Sequence, residues 1–270
     1  MNTLIFLCIQ TYYFLNLTPG VTALSSGGMS AVTSEGLSAF HNPAAIDKFM
    51  VNFTIGRWLY ATNLIVTGID YKNNCFGILY NDYGSIPGCD RFGSETSVFR
   101  PGDFILIVGR DLGPCGISVK AFQEVIADFK IYGLALGISA YVQTGRFAIG
   151  AKLDNLGRDI ANNYALQLNS SAGVKYRVIK NVLEANISGT IPENSFMLGF
   201  SYNYSIVTTN FGFRYQLAKD LILNSRNKWS SEDLDLTAGL IVNVDKYRIG
   251  YSLLLDQYSS AHQFSIVITP

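Results

Sequence analysis

The stretch Phe196-Met197-Leu198-Gly199-Phe200-Ser201-Tyr202-Asn203 alternates large apolar side chains with others that are mostly small or polar. Successive side chains of a β-strand point to opposite faces, so this period of two predicts a strand with one apolar face and one polar face. The same pattern recurs in residues 49–56, 147–154 and 247–254. The chain is therefore expected to consist mostly of β-strands.

Extending this rule along the chain predicts about 14 strands of about nine residues or more, the length that a tilted membrane strand requires. An even number of strands is typical of bacterial single-chain β-barrels. The predicted strands are 49–58, 62–71, 75–83, 102–111, 115–126, 129–142, 146–155, 171–179, 182–190, 195–205, 207–216, 233–243, 246–255 and 261–269.

The connections between these strands sort by length. Those after even-numbered strands are short, at 72–74, 112–114, 143–145, 180–181 and 244–245. The long ones, 84–101, 156–170 and 217–232, all follow odd-numbered strands. Short periplasmic turns and long outer loops are the arrangement of outer-membrane barrels, whereas a soluble sandwich has no reason to segregate them.

The composition favours the same class. The chain is 49% hydrophobic and 13% aromatic but only 15% charged, against roughly 25% charged residues in ordinary globular domains. After residue 23 no apolar run approaches the roughly 20 residues that a membrane-spanning helix needs. The alternative, a soluble secreted β-sandwich, usually carries more charge. The net charge is zero and no basic cluster is present, which argues against nucleic-acid binding.

Residues 1–23 are expected to form a secretory signal peptide, with an apolar run and a small-residue site at Val21-Thr22-Ala23. The alternative is a retained membrane anchor. Export leaves Cys75, Cys89 and Cys115, an odd number, so at least one thiol is free. Cys75 and Cys115 are predicted two inter-strand steps apart, about 10 Å, too far for a disulfide bond.

Residues 25–49, SSGGMSAVTSEGLSAFHNPAAIDKF, fit neither a strand nor a signal peptide. The segment is rich in small residues and ends at Asn42-Pro43-Ala44, where the proline cannot join a β-ladder. Its Gly-Gly-Met-Ser-Ala start and Asn-Pro-Ala finish resemble the N-terminal signature of the PorV/PorQ family of outer-membrane proteins, relatives of the FadL-type barrels. This resemblance implies that residues 24–48 form a hatch inside a barrel of residues 49–270. The alternative is an ordinary helix-turn leader with a helix starting near Pro43.

Charged side chains on the polar strand faces are predicted to point into the lumen, because they would be costly toward lipid. A two-residue turn at 180–181 would set Arg177 opposite Glu184, so that these charges pair across strands. Their role is either to satisfy one another in a hydrated interior or to select a solute. The predicted luminal charges are Lys120, Lys152, Asp154, Lys175, Arg177, Glu184, Arg214, Asp233, Asp235 and Arg248.

No catalytic constellation is recognisable in the sequence. It lacks a nucleophile elbow and a glycine-rich phosphate loop, and His41 and His262 are too far apart to suggest a metal site. We therefore expect no enzyme activity, cofactor or metal. A barrel enzyme with residues on separate strands is the alternative, and His262 would be its only strand-borne base.

The resemblance implies one of two functions for a barrel of this kind in the outer membrane of a Gram-negative bacterium. One is passage of small or hydrophobic molecules, as in FadL-like proteins, and this is the function we favour. The other is service as a PorV-like accessory barrel of a protein-secretion system, and a purely structural role is a further alternative. The expected partners are outer-membrane lipid and either a hydrophobic small molecule or secretion-system components.

Overall fold

The computed structural model describes residues 13–58, 62–89, 95–126, 129–160, 162–191, 194–216, 234–255 and 260–270. Within these ranges fourteen strands form one closed antiparallel barrel, and two further strands, β4 and β5, form a separate hairpin. The strands are β1 (Met50–Trp58), β2 (Thr62–Tyr71), β3 (Asn74–Asp82), β4 (Ile86–Cys89), β5 (Glu95–Phe99), β6 (Gly102–Asp111), β7 (Cys115–Ile126), β8 (Phe129–Thr144), β9 (Phe147–Asp159), β10 (Asn169–Ile179), β11 (Leu183–Ile191), β12 (Ser195–Tyr204), β13 (Val207–Gln216), β14 (Leu234–Val244), β15 (Tyr247–Leu255) and β16 (Ser260–Ile268).

The barrel closes by pairing its first strand with its last, so that Val51 on β1 lies opposite Ile268 on β16. Every other barrel strand pairs with its neighbours in sequence, except that β3 pairs directly with β6. The predicted fold of about 14 antiparallel strands is confirmed. Each predicted strand end lies within two residues of the observed one, apart from the C-terminal end of β9.

Strand β9 extends past the predicted end at residue 155 because it contains a β-bulge. The pairing of β8 with β9 shifts register between Leu136 and Ile138, and Asn155 has a φ of 65°, a conformation that Asn tolerates better than most residues. Asp154 and Asn155 are consequently both buried. Pairing with β8 continues beyond the bulge to Asp159, which a strict period of two cannot predict.

The hairpin of β4 and β5 lies within a stretch that the sequence analysis treats as loop. Its two strands are four and five residues long and include Pro87, which cannot donate a ladder hydrogen bond. Both are shorter than the roughly nine residues that a tilted membrane strand requires, so that length does not predict them.

The outward face of the barrel is apolar around the sheet. A strand face of this kind suits contact with lipid hydrocarbon. Exposed large side chains occur on every barrel strand, and include Phe53, Ile65, Tyr80, Val108, Ile117, Leu136, Ile149, Ile179, Ile187, Phe200, Phe211, Leu240, Tyr251 and Phe264. The turns at 72–73, 145–146, 205–206 and 245–246 mark one end of the barrel, here called the short-turn end, and the opposite end is called the long-connection end.

Residues 13–49, here called the N-terminal segment, lie largely inside the barrel. The segment contains one short helix, α1 (Val21–Ser25), and 3₁₀ turns at Tyr13–Asn16 and Pro43–Ala45. Helix α1 packs against β13 to β16, and the Pro43–Ala45 turn packs against β6, β7 and β8. Leu24, Leu37 and Asn42 are fully buried there. None of the helices in the described ranges is long and apolar enough to cross a membrane.

Candidate functional site: the barrel lumen

The inner wall of the barrel carries glycines where the N-terminal segment makes its closest approach. A Cβ atom at Gly199 would lie 2.8 Å from the Ser26 carbonyl oxygen. A Cβ atom at Gly150 would overlap the Ala31 carbonyl oxygen. Because real Cβ contacts are longer, these positions accept no larger residue without displacement of the segment or the wall. The same holds, with segment neighbours in each case, at Gly68, Gly77, Gly109, Gly116, Gly212, Gly239 and Gly250.

Helix α1 is held at its N-terminus by a buried carboxylate from the same segment. The backbone N–H groups of Thr22 and Ala23 donate to Glu35 Oε2 and Oε1 at 2.9 and 3.2 Å. Gly20, with a φ of 100°, donates its N–H to Gln263 Oε1 on β16 at 2.8 Å. The first turn of a helix leaves its N–H groups without backbone partners, and here the segment and the barrel wall supply them.

The C-terminal part of α1 is fixed to the wall through Ser25. Thr237 on β14 donates its hydroxyl to the Ser25 carbonyl at 2.9 Å, and Asn210 on β13 donates its side-chain amide to Ser25 Oγ at 3.0 Å. Arg248 on β15 donates to Thr22 Oγ1 at 2.8 Å. Three neighbouring strands therefore hold one five-residue helix.

The predicted hatch motif forms the second attachment point. Asn42 donates its side-chain amide to the carbonyls of Ala31 and Ala140, at 2.8 and 3.0 Å. Its Oδ1 accepts the Ala44 N–H at 3.0 Å, which caps the 3₁₀ turn that starts at Pro43. This one side chain joins two parts of the segment to β8, and Pro43 packs beside Gly109 on β6.

A third attachment lies between these two, at Ser38. Its hydroxyl donates to Asp70 Oδ2 on β2 at 2.6 Å, and its N–H donates to Asp70 Oδ1 at 3.3 Å. Both residues are fully buried. Neither Asp70 nor Glu35 is among the residues predicted from sequence, because their partners are distant along the chain and only the fold brings them together.

The two titratable residues of the segment's interior face each other. His41 Nε2 lies 3.8 Å from Glu35 Oε1 and both side chains are buried. Burial alone raises the pKa of Glu35, but its interactions with His41, Arg248 and Thr22 hold that pKa below the ordinary value. Burial also holds the pKa of His41 below its ordinary value, and Glu35 offsets only part of the effect.

One group of predicted luminal charges surrounds Asp154 on β9. Lys152 Nζ lies 2.9 Å and Lys120 Nζ 3.5 Å from the Asp154 carboxylate. Lys152 also donates to the Phe40 carbonyl at 3.3 Å, which links this group to the N-terminal segment. Lys120 donates to Asn155 Oδ1 at 3.2 Å. Two cations thus share one carboxylate in the lumen.

The other predicted charges within the described ranges lie on β10 to β15. Arg177 and Lys175 lie 3.4 and 3.9 Å from Glu184, and Arg177 is opposite Glu184 as predicted. The register reaches that pairing through a turn at 180–182 and an irregularity between Arg177 and Ile179, not through a two-residue turn. Arg214 pairs with Asp235 at 2.6 Å. Asp233 lies outside the described residues.

Two cavities flank the N-terminal segment. A small one of about 30 Å³ lies beside the apolar cluster that includes Phe14, Phe40 and Ile105, and much of the rest of its lining is polar, including Lys120 and Lys152. A larger one of about 420 Å³ lies near the short-turn end and is lined mainly by polar and charged residues. The lumen therefore combines an apolar region with a polar vestibule, here defined as the cavity lined by Lys175, Arg177, Glu184, Asn203, Thr208 and Arg248.

Part of the predicted signal peptide is included in this packing. Phe14 stacks edge-on against Phe122 of β7, with ring centroids 5.8 Å apart. Asn16 Oδ1 accepts hydrogen bonds from the side-chain amides of Asn155 and Asn169, at 3.0 and 2.9 Å. Cleavage after Ala23 would remove these contacts and the α1 N-terminus, whereas cleavage before Phe14 would keep them.

The residues considered for catalysis and metal binding are not brought together. His262 lies on β16 opposite Leu253, and its Nδ1 is 2.6 Å from the Tyr251 hydroxyl on the outward face. His41 is buried in the N-terminal segment. Across the described ranges, no group of three or more His, Cys, Asp or Glu residues is placed to hold a metal ion.

Comparison with known proteins finds likeness only at the level of structure. No family model matches the chain, and no curated protein matches it. The monoaromatic hydrocarbon channel TodX, as its deltaS2 mutant, has a TM-score of 0.56 at 12% identity, covering 93% of this chain and 97% of TodX. The toluene transporter TbuX of Ralstonia pickettii has a TM-score of 0.54 at 12% identity, covering 95% of this chain and 98% of TbuX. At such identity the likeness concerns the fold.

Proposed function

We propose that this protein is a FadL-like barrel of the outer membrane that passes small or hydrophobic molecules across that membrane, with its N-terminal segment as the hatch. The observation that carries the proposal is the close packing of the N-terminal segment against glycines of the inner wall, where a side chain would not fit. The apolar outward face supports a position in a bilayer, since a closed barrel satisfies its backbone hydrogen bonds internally.

The solute class is supported by the two solved structures with a similar fold. One is described as a monoaromatic hydrocarbon channel and the other as a toluene transporter. In this chain the apolar side chains around Phe14, Phe40 and Ile105 provide a matching lining inside the barrel. A hydrophobic molecule would enter that region and leave through the polar vestibule once the segment shifts.

A reversible disulfide would test whether the segment must move. Ser38 and Asp70 are suited to this because their side chains meet at 2.6 Å across the interface between segment and β2. We would introduce Ser38→Cys and Asp70→Cys in a protein whose four native cysteines are replaced. Uptake of labelled toluene by whole cells that carry the protein in their outer membrane should be low when the pair is oxidised and should recover on reduction.

The two single-cysteine proteins are the matched controls, because each loses the native hydrogen bond without gaining the cross-link. They should take up toluene equally with and without reductant. Equal uptake by the oxidised and reduced double variant would show that the segment is not a hatch. Absence of uptake in every form, together with co-isolation of the native protein with a secretion complex, would overturn the transport function itself.

A further inference from the structure

Three polar side chains line up across adjacent strands at the long-connection end of the lumen. Asn81 lies near the end of β3, Asp103 near the start of β6 and Glu124 near the end of β7. Asn81 is opposite Asp103, and Asp103 is opposite Glu124. Side chains opposite each other on antiparallel strands are about 5 Å apart at Cβ. All three are buried, at 2%, 1% and 7% exposure.

Each of these side chains has a buried oxygen without a hydrogen-bond partner among the described residues. These atoms are Asn81 Oδ1, Asp103 Oδ1 and Glu124 Oε2. The donors nearby serve a different atom: Tyr83 donates its hydroxyl to Asp103 Oδ2 at 2.6 Å, and Asn81 donates its amide to the same oxygen at 3.3 Å. Buried polar atoms are normally satisfied, so three unsatisfied oxygens in one row require a reason.

The charges of this row are not balanced by protein cations in the described part of the chain. Neither Asp103 nor Glu124 forms an ion pair with a described residue. Lys120, four residues from Glu124 on β7, is engaged by Asp154. Buried carboxylates are paired with cations, coordinate metals or are neutralised by a proton.

We propose that Asn81, Asp103 and Glu124 bind a divalent cation, with Ca²⁺ as the fitting ion. Ca²⁺ is coordinated by carboxylate and amide oxygens together with water, and the three unsatisfied oxygens supply such donors. One amide and two carboxylates form the row. A bound ion would join β3, β6 and β7 below the 83–101 connection.

The test is a Ca²⁺ titration of the purified, folded barrel in detergent. For a dissociation constant on the order of 10⁻⁴ M, as in extracellular calcium modules, about 1 mM Ca²⁺ should raise the unfolding midpoint by about 3–6 °C relative to EDTA. Tb³⁺ should bind in place of Ca²⁺, with emission excited through Tyr83 and displaced by Ca²⁺.

Three variants make the titration specific. Asp103→Asn with Glu124→Gln should weaken Tb³⁺ binding at least about tenfold, because ligand charge sets affinity in such sites. Asn81→Asp should lower the midpoint in EDTA and bind Tb³⁺ more tightly than the native protein. Asp245→Asn, in an exposed turn at the opposite end, is the control and should behave as native.

Two results would overturn the proposal. One is an identical Tb³⁺ titration for the native protein and the Asp103→Asn/Glu124→Gln variant. The other is an unfolding midpoint that does not change with Ca²⁺ and that depends on pH in the native protein but not in the Asp103→Asn/Glu124→Gln variant. The two acids would then share a proton instead of binding an ion.

Discussion

Replacing Glu35 by alanine should detach the N-terminal segment while leaving the barrel folded. The Glu35 carboxylate is buried and accepts the N–H groups of Thr22 and Ala23. Its removal leaves two buried donors unsatisfied at the start of α1. The fourteen barrel strands do not depend on this contact, because their hydrogen bonds run between strands.

The size of the effect follows from those two donors. An unsatisfied buried hydrogen-bonding group costs about 1–3 kcal/mol, so two groups weaken docking of the segment by about 2–6 kcal/mol. At about 1.4 kcal/mol for each factor of ten, the undocked fraction should rise between roughly 30-fold and 10⁴-fold. The lower figure applies if water enters the space that the carboxylate leaves.

Limited proteolysis of the folded protein would measure this change. The segment in the Glu35→Ala protein should be cut at least about 30 times faster than in the native protein, while heat-modifiable migration of the barrel on gels is retained. Asp47→Ala is the control, because Asp47 is an exposed carboxylate at the end of the same segment. Equal cleavage of the Glu35→Ala and native segments would refute the capping role of Glu35.

The same contact predicts loosening of the segment in acid. Both Glu35 and His41 have pKa values below their ordinary values in the folded protein. A lowered pKa means that the undocked form binds the proton more readily, so stability is lost as pH falls. The loss should begin below about pH 6.5 through His41 and grow below about pH 4.5 through Glu35. Proteolysis that is insensitive to pH across this range would contradict the assignment.

Three further predictions concern the wall, the thiols and processing. Gly150→Ala should destabilise docking of the segment by about 1–3 kcal/mol through overpacking, which limited proteolysis would detect as faster cleavage of the segment. Gly189→Ala is the control and should not change the rate, because its Cβ would meet only an ordinary contact at 3.5 Å. Equal cleavage rates for the two variants would show that the segment does not fit closely against Gly150. Cys75 and Cys115 are both free, the first buried and the second exposed, so in a protein without the other two cysteines maleimide should label only Cys115 before unfolding. Mass spectrometry of protein from outer membranes decides between the predicted signal peptide of residues 1–23 and the packing of Phe14 on Phe122: that packing predicts a mature chain that retains Phe14, and a mature chain that starts after Ala23 would contradict it.

The strands could be predicted from the sequence because each barrel strand has one lipid-type face and one luminal face, which imposes a strict period of two. Prediction failed where that period breaks. Asn155 adopts a positive φ and inserts an extra residue into β9, so the sequence Asp154-Asn155 seemed to end the strand. The β4–β5 hairpin is not part of the barrel sheet. Its strands do not have to span a membrane and can therefore be shorter than the barrel strands.

The site could be predicted only in part. A charged residue that falls on the polar face of an alternating strand can be placed in the lumen from that alternation alone. Lys120, Arg214 and Arg248 are examples. Their partners depend on register and on the N-terminal segment. The contact of Arg248 with Thr22, for example, joins residues 226 positions apart. The role of Glu35 could not be predicted from periodicity, because it lies in an irregular segment. Its carboxylate accepts hydrogen bonds from the backbone N–H groups of Thr22 and Ala23, which no side-chain pattern indicates.

The seam between β1 and β16 closes the wall around the N-terminal segment. The N-terminal segment precedes β1 directly, and its side chains interlock with glycines on strands from both halves of the sheet. Once β1 has paired with β16, the wall forms a complete ring around α1, which contacts β13 to β16. Because the closed wall leaves no gap between strands, an undocked segment can leave the lumen only along the barrel axis, through one of its two ends.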